Sequence, residues 1–235
     1  MQVTLNIKRF DPEKDQKSYY QEFVLEVEPT DRLLDALMRL KHEQDGSLSF
    51  RKSCAHGVCG SDAMRINGKD RLACKTLIQD VVQEQSQAVT IEPMQSFPVQ
   101  KDLIVDQLSF FEGYRSVDPF LISGRVKEEG ERLQSPEQRK AFDDPTKCIL
   151  CGACVSACPV KLQNPAFLGP AAIVQAARFN KDSRDQGFED RLPVLNDPNG
   201  VWPCKNHFEC TRACPRDIKV TKLINETKTQ IKSRG

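Results

Sequence analysis

In MQVTLNIKRF the apolar residues Val3, Leu5 and Ile7 alternate with polar ones, and Phe23, Leu25 and Val27 repeat the pattern after DPEKDQKS. Period two places each set on one face of a strand, so the two runs predict a hairpin with one buried face. The period then changes. In TDRLLDALMRLKHE the residues Leu33, Leu34, Leu37, Met38 and Leu40 form one helical stripe, with Thr30 placed to cap and Asp31 suited to the first turn. His42, at the far end of that helix, reads as surface. FRKSCAHGVCGSD is a glycine-bearing loop, AMRINGKDRLAC a hairpin turning at Asn67-Gly68, and AVTIEP a last short strand. Strand, strand, helix, loop and strands make a small α+β unit that ends near residue 95.

The two prolines of PMQSFPVQ mark a linker. Beyond it the strand pattern fades, and DLIVDQLSFFEGYR, SPEQRKAFDD, PAAIVQAARFNK and IKVTKLINETKTQIKS read as helices between cysteine-bearing loops. The expected division is therefore an α+β domain over 1–98 and a mainly α domain over 99–235. The longest apolar run, AFLGPAAIVQAA, carries Gly169 and Pro170 and falls short of the ~20 residues that span a bilayer. The N-terminus lacks the pattern of a secretory signal, so the chain is expected to stay where it is made.

Charge and composition narrow the function. Lys plus Arg number 34 against 33 for Asp plus Glu, a net +1, which gives no general attraction to nucleic acid or acidic lipid. Hydrophobic residues make up 39% and aromatic residues 7%, so cross-links or metal centres are expected to supply part of the stability. The chain has ten cysteines. A secreted disulfide scaffold is usually short and carries an export signal, whereas tight clusters of thiols in a chain that is not exported point to metal.

Seven of the ten cysteines lie in two runs. In KCILCGACVSACPV, Cys148, Cys151, Cys154 and Cys158 are spaced CxxCxxCxxxCP and end at Pro159. This is the bacterial ferredoxin pattern, in which three close thiolates hold one iron–sulfur cluster and the fourth crosses to another. CKNHFECTRACP fits the same grid with Cys204, His207, Cys210 and Cys214, a histidine standing where a cysteine is expected. Crossing the fourth ligands gives Cys148, Cys151, Cys154 and Cys214 for a [4Fe–4S] cluster. Cys158, Cys204 and Cys210 remain, three thiolates that suit a [3Fe–4S] cluster. The rival is a [4Fe–4S] cluster whose fourth bond comes from His207, as imidazole binds iron in Rieske centres. Structural zinc also uses CxxC pairs but wants tetrahedral groups of four.

In the first half, Cys54 and Cys59 have the spacing of a plant-type [2Fe–2S] loop, Asp62 occupies the third ligand position and Cys74 is the distant fourth. A carboxylate oxygen is a harder ligand than thiolate but binds iron, and the alternative for Asp62 is a turn-capping loop residue. One cluster of each kind needs eleven protein ligands, and ten cysteines with Asp62 make eleven, so iron alone accounts for every thiol. Gly57 and Gly60 let this loop approach a cluster and turn amides toward it.

These segments, SCAHGVCGSDAMRINGKDRLAC, the bridge IEPMQSFPVQKDLIVD, CILCGACVSACP and CKNHFECTRACP, together resemble the iron–sulfur subunit of succinate dehydrogenase and fumarate reductase. The resemblance covers nearly the whole chain. It implies a β-grasp ferredoxin-like domain followed by an α-helical ferredoxin domain, held between a FAD-containing flavoprotein and an integral membrane anchor. Electrons would pass between flavin and membrane quinone through [2Fe–2S], [4Fe–4S] and [3Fe–4S] clusters bound by the residues named above. The dicarboxylate site would belong to the flavoprotein, so no catalytic residue is sought here. The expected location is the cytoplasmic face of a bacterial inner membrane. Many relatives follow the first CP with a tryptophan-bearing segment, where this chain has VKLQNPAFLGP and its one tryptophan, Trp202, precedes Cys204. Pro159, Lys161, Trp202, Lys205 and His207 are the candidates for the quinone side. His56, in the first loop, would hydrogen-bond a sulfide, meet the flavoprotein or face solvent. The alternatives from other classes are a free multi-cluster ferredoxin and a zinc-stapled structural module.

Overall fold

A computed structural model describes residues 1–82, 88–124 and 130–234. The chain divides into two compact units. One comprises Met1–Gln107 with Ile149–Ala157, the other Leu108–Cys148 with Cys158–Gly235. The first unit extends past residue 98 and takes in most of the first cysteine run.

In the first unit, β1 (Gln2–Arg9) and β2 (Tyr19–Glu26) form the expected antiparallel hairpin. After α1 (Leu33–Glu43) come β3 (Ala63–Ile66) and β4 (Lys69–Leu72), joined at Asn67 and Gly68, whose φ of 46° and 74° suit the tight turn of a two-residue hairpin. The strand β5 (Ala88–Glu92) pairs parallel with β1 and antiparallel with β3, giving a five-stranded mixed sheet in the order β2-β1-β5-β3-β4. Val3, Leu5 and Ile7 from β1 and Leu33, Leu34, Leu37 and Leu40 from α1 are fully buried, each burial contributing about 2 kcal/mol. Thr30 does not cap α1. The helix starts after Arg32, and the N–H of Leu33 is satisfied by the carbonyl of Thr76 at 2.9 Å. A tertiary partner thus replaces the side-chain cap.

The stretch from residue 93 is neither a free linker nor the start of a helix. Met94 and Phe97 are buried, and β6 (Val99–Lys101) pairs with β7 (Ile104–Val105). A buried charge network fixes this small hairpin. The Asp102 carboxylate accepts from Arg9 Nε at 3.0 Å and from the backbone N–H groups of Phe10 and Ser49 at 3.0 and 2.8 Å. The same guanidinium donates to Asp45 at 2.6 Å. Hydrogen bonds from Ser47, then from Arg9, hold the Asp45 carboxyl down at about 2. Because the folded value lies below the ordinary 3.8, the Asp45 contribution is complete above pH 4 and is lost as pH falls toward 2. Asp102→Ala removes the acceptor of the buried Arg9 Nε and of the Phe10 and Ser49 N–H groups. It is expected to cost about 3–5 kcal/mol in chemical denaturation of the purified protein, and a loss below 1 kcal/mol would refute the role given to Asp102.

The helices that follow are α2 (Leu108–Arg115), α3 (Pro136–Ala141), α4 (Asp143–Thr146), α5 (Ala153–Ser156), α6 (Pro159–Gln163), α7 (Pro170–Asn180), α8 (Phe188–Leu195), α9 (Glu209–Arg212) and α10 (Val220–Lys232). Of these, α5 belongs to the first unit. In the second unit α7 is buried along nearly its whole length and packs against α10, whose Val220, Leu223, Ile224 and Ile231 point inward. The named elements among the described residues of the second unit are all helices, whereas residues 99–105 of the expected helical half form the hairpin of β6 and β7. Charged groups are buried inside the second unit. Arg191 on α8 is 0% exposed and forms an ion pair with Asp185 at 2.7 Å. It also donates to the carbonyls of Val117 at 3.0 Å, Asp118 at 3.1 Å and Phe120 at 2.7 Å, tying the segment after α2 to α8.

Candidate metal centres

Cys54, Cys59 and Asp62 come from the loop after α1, and Cys74 from the short turn that ends β4. The loop folds its two thiols together: the N–H of Cys59 reaches Cys54 Sγ at 3.3 Å, and the N–H of Cys54 reaches Cys59 Sγ at 3.4 Å. Asp62 is buried, and its carboxylate accepts the N–H of Cys74 at 2.5 Å. It points inward rather than capping a turn at the surface. Hydrogen bonds from the His56 backbone and from Cys59 pull the Cys54 thiol down to about 6, toward the thiolate an iron ligand must be. Burial, and then the Asp62 carboxylate, push Cys74 up to about 12. A buried thiol beside a buried carboxylate is an unfavourable pair of acids alone, and a cation bound by both relieves it. Gly57 and Gly60 are both left-handed, with φ of 79° and 70°. A Cβ on Gly60 would come within 2.6 Å of the Cys151 Cβ, so only glycine permits that approach. This donor set and backbone fit a [2Fe–2S] cluster.

In the second unit, Cys158, Cys204 and Cys210 line one cavity, together with Pro159, Lys205, Asn206, His207 and Phe208. Cys158 opens α6, where its Sγ accepts the N–H of Lys161 at 3.4 Å. Cys210 lies in α9, and its Sγ meets the hydroxyl of buried Thr221 at 3.5 Å. Burial raises both thiols, and the neighbouring thiol groups raise Cys210 further. Three thiols around one cavity, with the Lys161 N–H donating to Cys158 and the Thr221 hydroxyl beside Cys210, fit a cuboidal iron–sulfur centre. Cys214, raised mainly by burial, has the Cys148 thiol as a neighbour within the same unit. Cys151 and Cys154 belong to the first unit. None of the ten cysteines is in a disulfide. Among the described residues, no three His, Cys, Asp or Glu side chains gather as ligands of a single ion would. Ligands of a multi-iron cluster each face their own iron and stand further apart.

Of the quinone-side candidates, Pro159, Lys205 and His207 line this cavity. The Lys161 ammonium instead donates to the carbonyls of Pro165 and Phe167 at 2.7 and 2.5 Å, and burial lowers it. Trp202 donates to Asn196 at 3.1 Å and lies under the ammonium of Lys232 at 5.7 Å. His56 turns Nδ1 to the carbonyl of Cys54 at 2.5 Å, and both His56 and His42 are exposed. Phe208 and Thr221 were not legible as site residues. Phe208 stands at a φ of 65°, half exposed on the cavity wall, and Thr221 lies on a helix beyond the motif.

Comparison with known proteins finds iron–sulfur domains in both halves of the chain. The profile of a 2Fe-2S iron-sulfur cluster binding domain matches residues 4–112, and that of a 4Fe-4S dicluster domain matches residues 144–218. The succinate dehydrogenase iron-sulfur subunit of Coxiella burnetii is 40% identical over 97% of this chain and 97% of its own length. The fumarate reductase iron-sulfur subunit of Mycobacterium tuberculosis is 40% identical over 96% of this chain and 91% of its own. Among solved structures, a chain of the Mycobacterium smegmatis Sdh1 complex in the apo form superposes with a TM-score of 0.89 at 28% identity, covering 99% of this chain and 96% of that one.

Proposed function

Because this chain belongs to the family of succinate dehydrogenase and fumarate reductase iron–sulfur subunits, we infer that it is the electron-relay subunit of a succinate:quinone oxidoreductase. The relay is common to both directions of turnover. Bound iron–sulfur clusters supply one-electron redox chemistry, and the chain supplies ligands, hydrogen bonds to sulfur and exclusion of water. In this reading Cys54, Cys59, Asp62 and Cys74 hold a [2Fe–2S] cluster. Cys148, Cys151, Cys154 and Cys214 hold a [4Fe–4S] cluster, and Cys158, Cys204 and Cys210 a [3Fe–4S] cluster. The first unit is then a β-grasp ferredoxin domain and the second an α-helical ferredoxin domain.

The partners in this reading are a FAD-containing flavoprotein at the first loop and a membrane anchor with its quinone beside the last cluster. Pro159, Lys205 and His207 are the residues of this chain nearest that quinone, with Lys161 and Trp202 behind them. Among the described residues no helix is long and apolar enough to cross a membrane, which suits a peripheral subunit on the cytoplasmic face of the bacterial inner membrane. The observation that carries the proposal is the match between donors and clusters: ten cysteines and one inward-facing aspartate for eleven ligand positions.

Low-temperature electron paramagnetic resonance of the purified complex, with iron and sulfide counted on the same sample, tests the assignment. The oxidised sample is expected to show a [3Fe–4S] signal, with the other two signals appearing on reduction and iron near nine per chain. A silent oxidised sample with an additional iron would make His207 the fourth ligand of the last cluster.

A further inference from the structure

The stretch that carries Cys151 and Cys154 is held on the first unit by a hydrogen-bonded strut that the iron ligands themselves do not require. Ser156, 2% exposed, closes α5 two residues after Cys154. Its hydroxyl donates to the carboxylate of Asp70 in β4 and accepts the N–H of Gln95 at 2.7 Å. One hydroxyl thus uses its donor and an acceptor site on two separate segments of the sheet domain. Asp70 is 6% exposed, and its other oxygen faces Arg65 on β3 at 3.6 Å. A buried carboxylate with one charged neighbour at that distance needs the Ser156 hydroxyl, because an unpaired buried acceptor costs about 1–3 kcal/mol.

The strut joins the strand that leads to one iron ligand and the helix that bears another. Asp70 lies four residues before Cys74 on the strand leading to it, and Ser156 lies on the helix that contains Cys154. At the other end of the segment Cys151 sits against Gly60, between Cys59 and Asp62 of the first loop. Two fixed points set the position and rotation of a short segment. Gly60 supplies one and the Asp70–Ser156 pair the other.

We propose that Asp70 and Ser156 are positioning residues for electron transfer between the first two centres. Their hydrogen bond fixes the register of Cys151 and Cys154 against the loop Cys54–Asp62. The proposal rests on the ligand assignment given above. No bond is made or broken by either residue, and neither touches iron; their effect is on how strongly the two centres sense each other.

The test is microwave power saturation of the reduced [2Fe–2S] signal in the intact complex, which reports magnetic interaction with the reduced neighbouring centre. Ser156→Ala is expected to lower the half-saturation power several-fold at wild-type iron and sulfide content, and Ser156→Thr, which keeps the hydroxyl, to restore it. A Ser156→Ala complex that loses the second centre while keeping the first overturns the proposal, since the hydroxyl would then be needed to hold the centre and not to position it. Where that variant fails to assemble, Asp70→Asn, which leaves Ser156 a weaker acceptor, is measured the same way and is expected to give a smaller drop. A variant with both centres intact and unchanged saturation overturns the proposal alone. A wild-type complex without a [4Fe–4S] signal overturns the ligand assignment, and the proposal with it.

Discussion

Replacing Cys214 with serine is expected to abolish the [4Fe–4S] signal and to lower the thermal midpoint of the complex by on the order of 10 °C. The size of the effect follows from where the residue sits. Cys214 lies just past α9, in the second cysteine run, and faces Cys148 from the first run within the same unit. A metal centre bound by distant segments links them covalently through its ligands. Its binding free energy then adds to folding free energy, on the order of 10 kcal/mol in structural zinc peptides. The serine hydroxyl is a poor substitute for a soft thiolate, and the burial that raises the thiol disfavours an alkoxide more. Differential scanning calorimetry with parallel iron analysis measures both halves of the prediction. A variant that lacked the [4Fe–4S] centre yet melted at the wild-type temperature would show that this ligand does not hold the second unit together.

The second large effect is expected at a residue with no metal role. Arg191→Met should destabilise the second unit by about 3–5 kcal/mol, because it strands the buried Asp185 carboxylate and frees three carbonyls from their donor. Methionine fills much of the volume and keeps contact with Phe179, over which the guanidinium sits at 5.4 Å. The loss is therefore electrostatic and hydrogen-bonding in origin rather than a cavity. Arg191→Lys is expected to recover little, since an ammonium cannot present the planar fork that meets Asp185 and the Val117, Asp118 and Phe120 carbonyls together. Denaturant titration followed by cluster absorbance reads the change. A lysine variant with wild-type stability would mean that charge alone, and not the fork, is what the site requires.

The parts legible in the sequence are those whose cause is local. Alternation in Gln2–Arg9 and Tyr19–Glu26 gave a hairpin because one face of the pair is buried, and Asn67-Gly68 turned as its backbone preference requires. Cysteine spacing was more informative still: Cys158, Cys204 and Cys210, grouped by spacing from two separate runs, line one cavity. Features with distant causes were missed. Asp102 makes a hairpin of residues 99–105 because Arg9 lies across from it, and nothing within that stretch announces the partner. Thr30 looked like a cap because the carbonyl that serves α1 belongs to Thr76. Nothing around Ser156 in the sequence points to its partner Asp70, 86 residues earlier. In the same way, nothing around Arg191 in the sequence announces carbonyl partners that lie more than seventy residues away.

The first unit is discontinuous in the chain, since Ile149–Ala157 joins it only after Leu108–Cys148 has intervened. During synthesis the sheet and its first cysteine loop emerge well before the segment that seats Cys151 on Gly60. At typical translation rates of 5–20 residues per second, that interval is roughly 2–10 s. Over those seconds the nascent domain presents Gly60 and Asp70 to water, and the Cys54–Cys59 loop is open on the side later occupied by Cys151. The order of residues along the chain thus gives the biogenesis machinery a window in which the first centre is reachable from that side, and the arrival of residue 157 closes it.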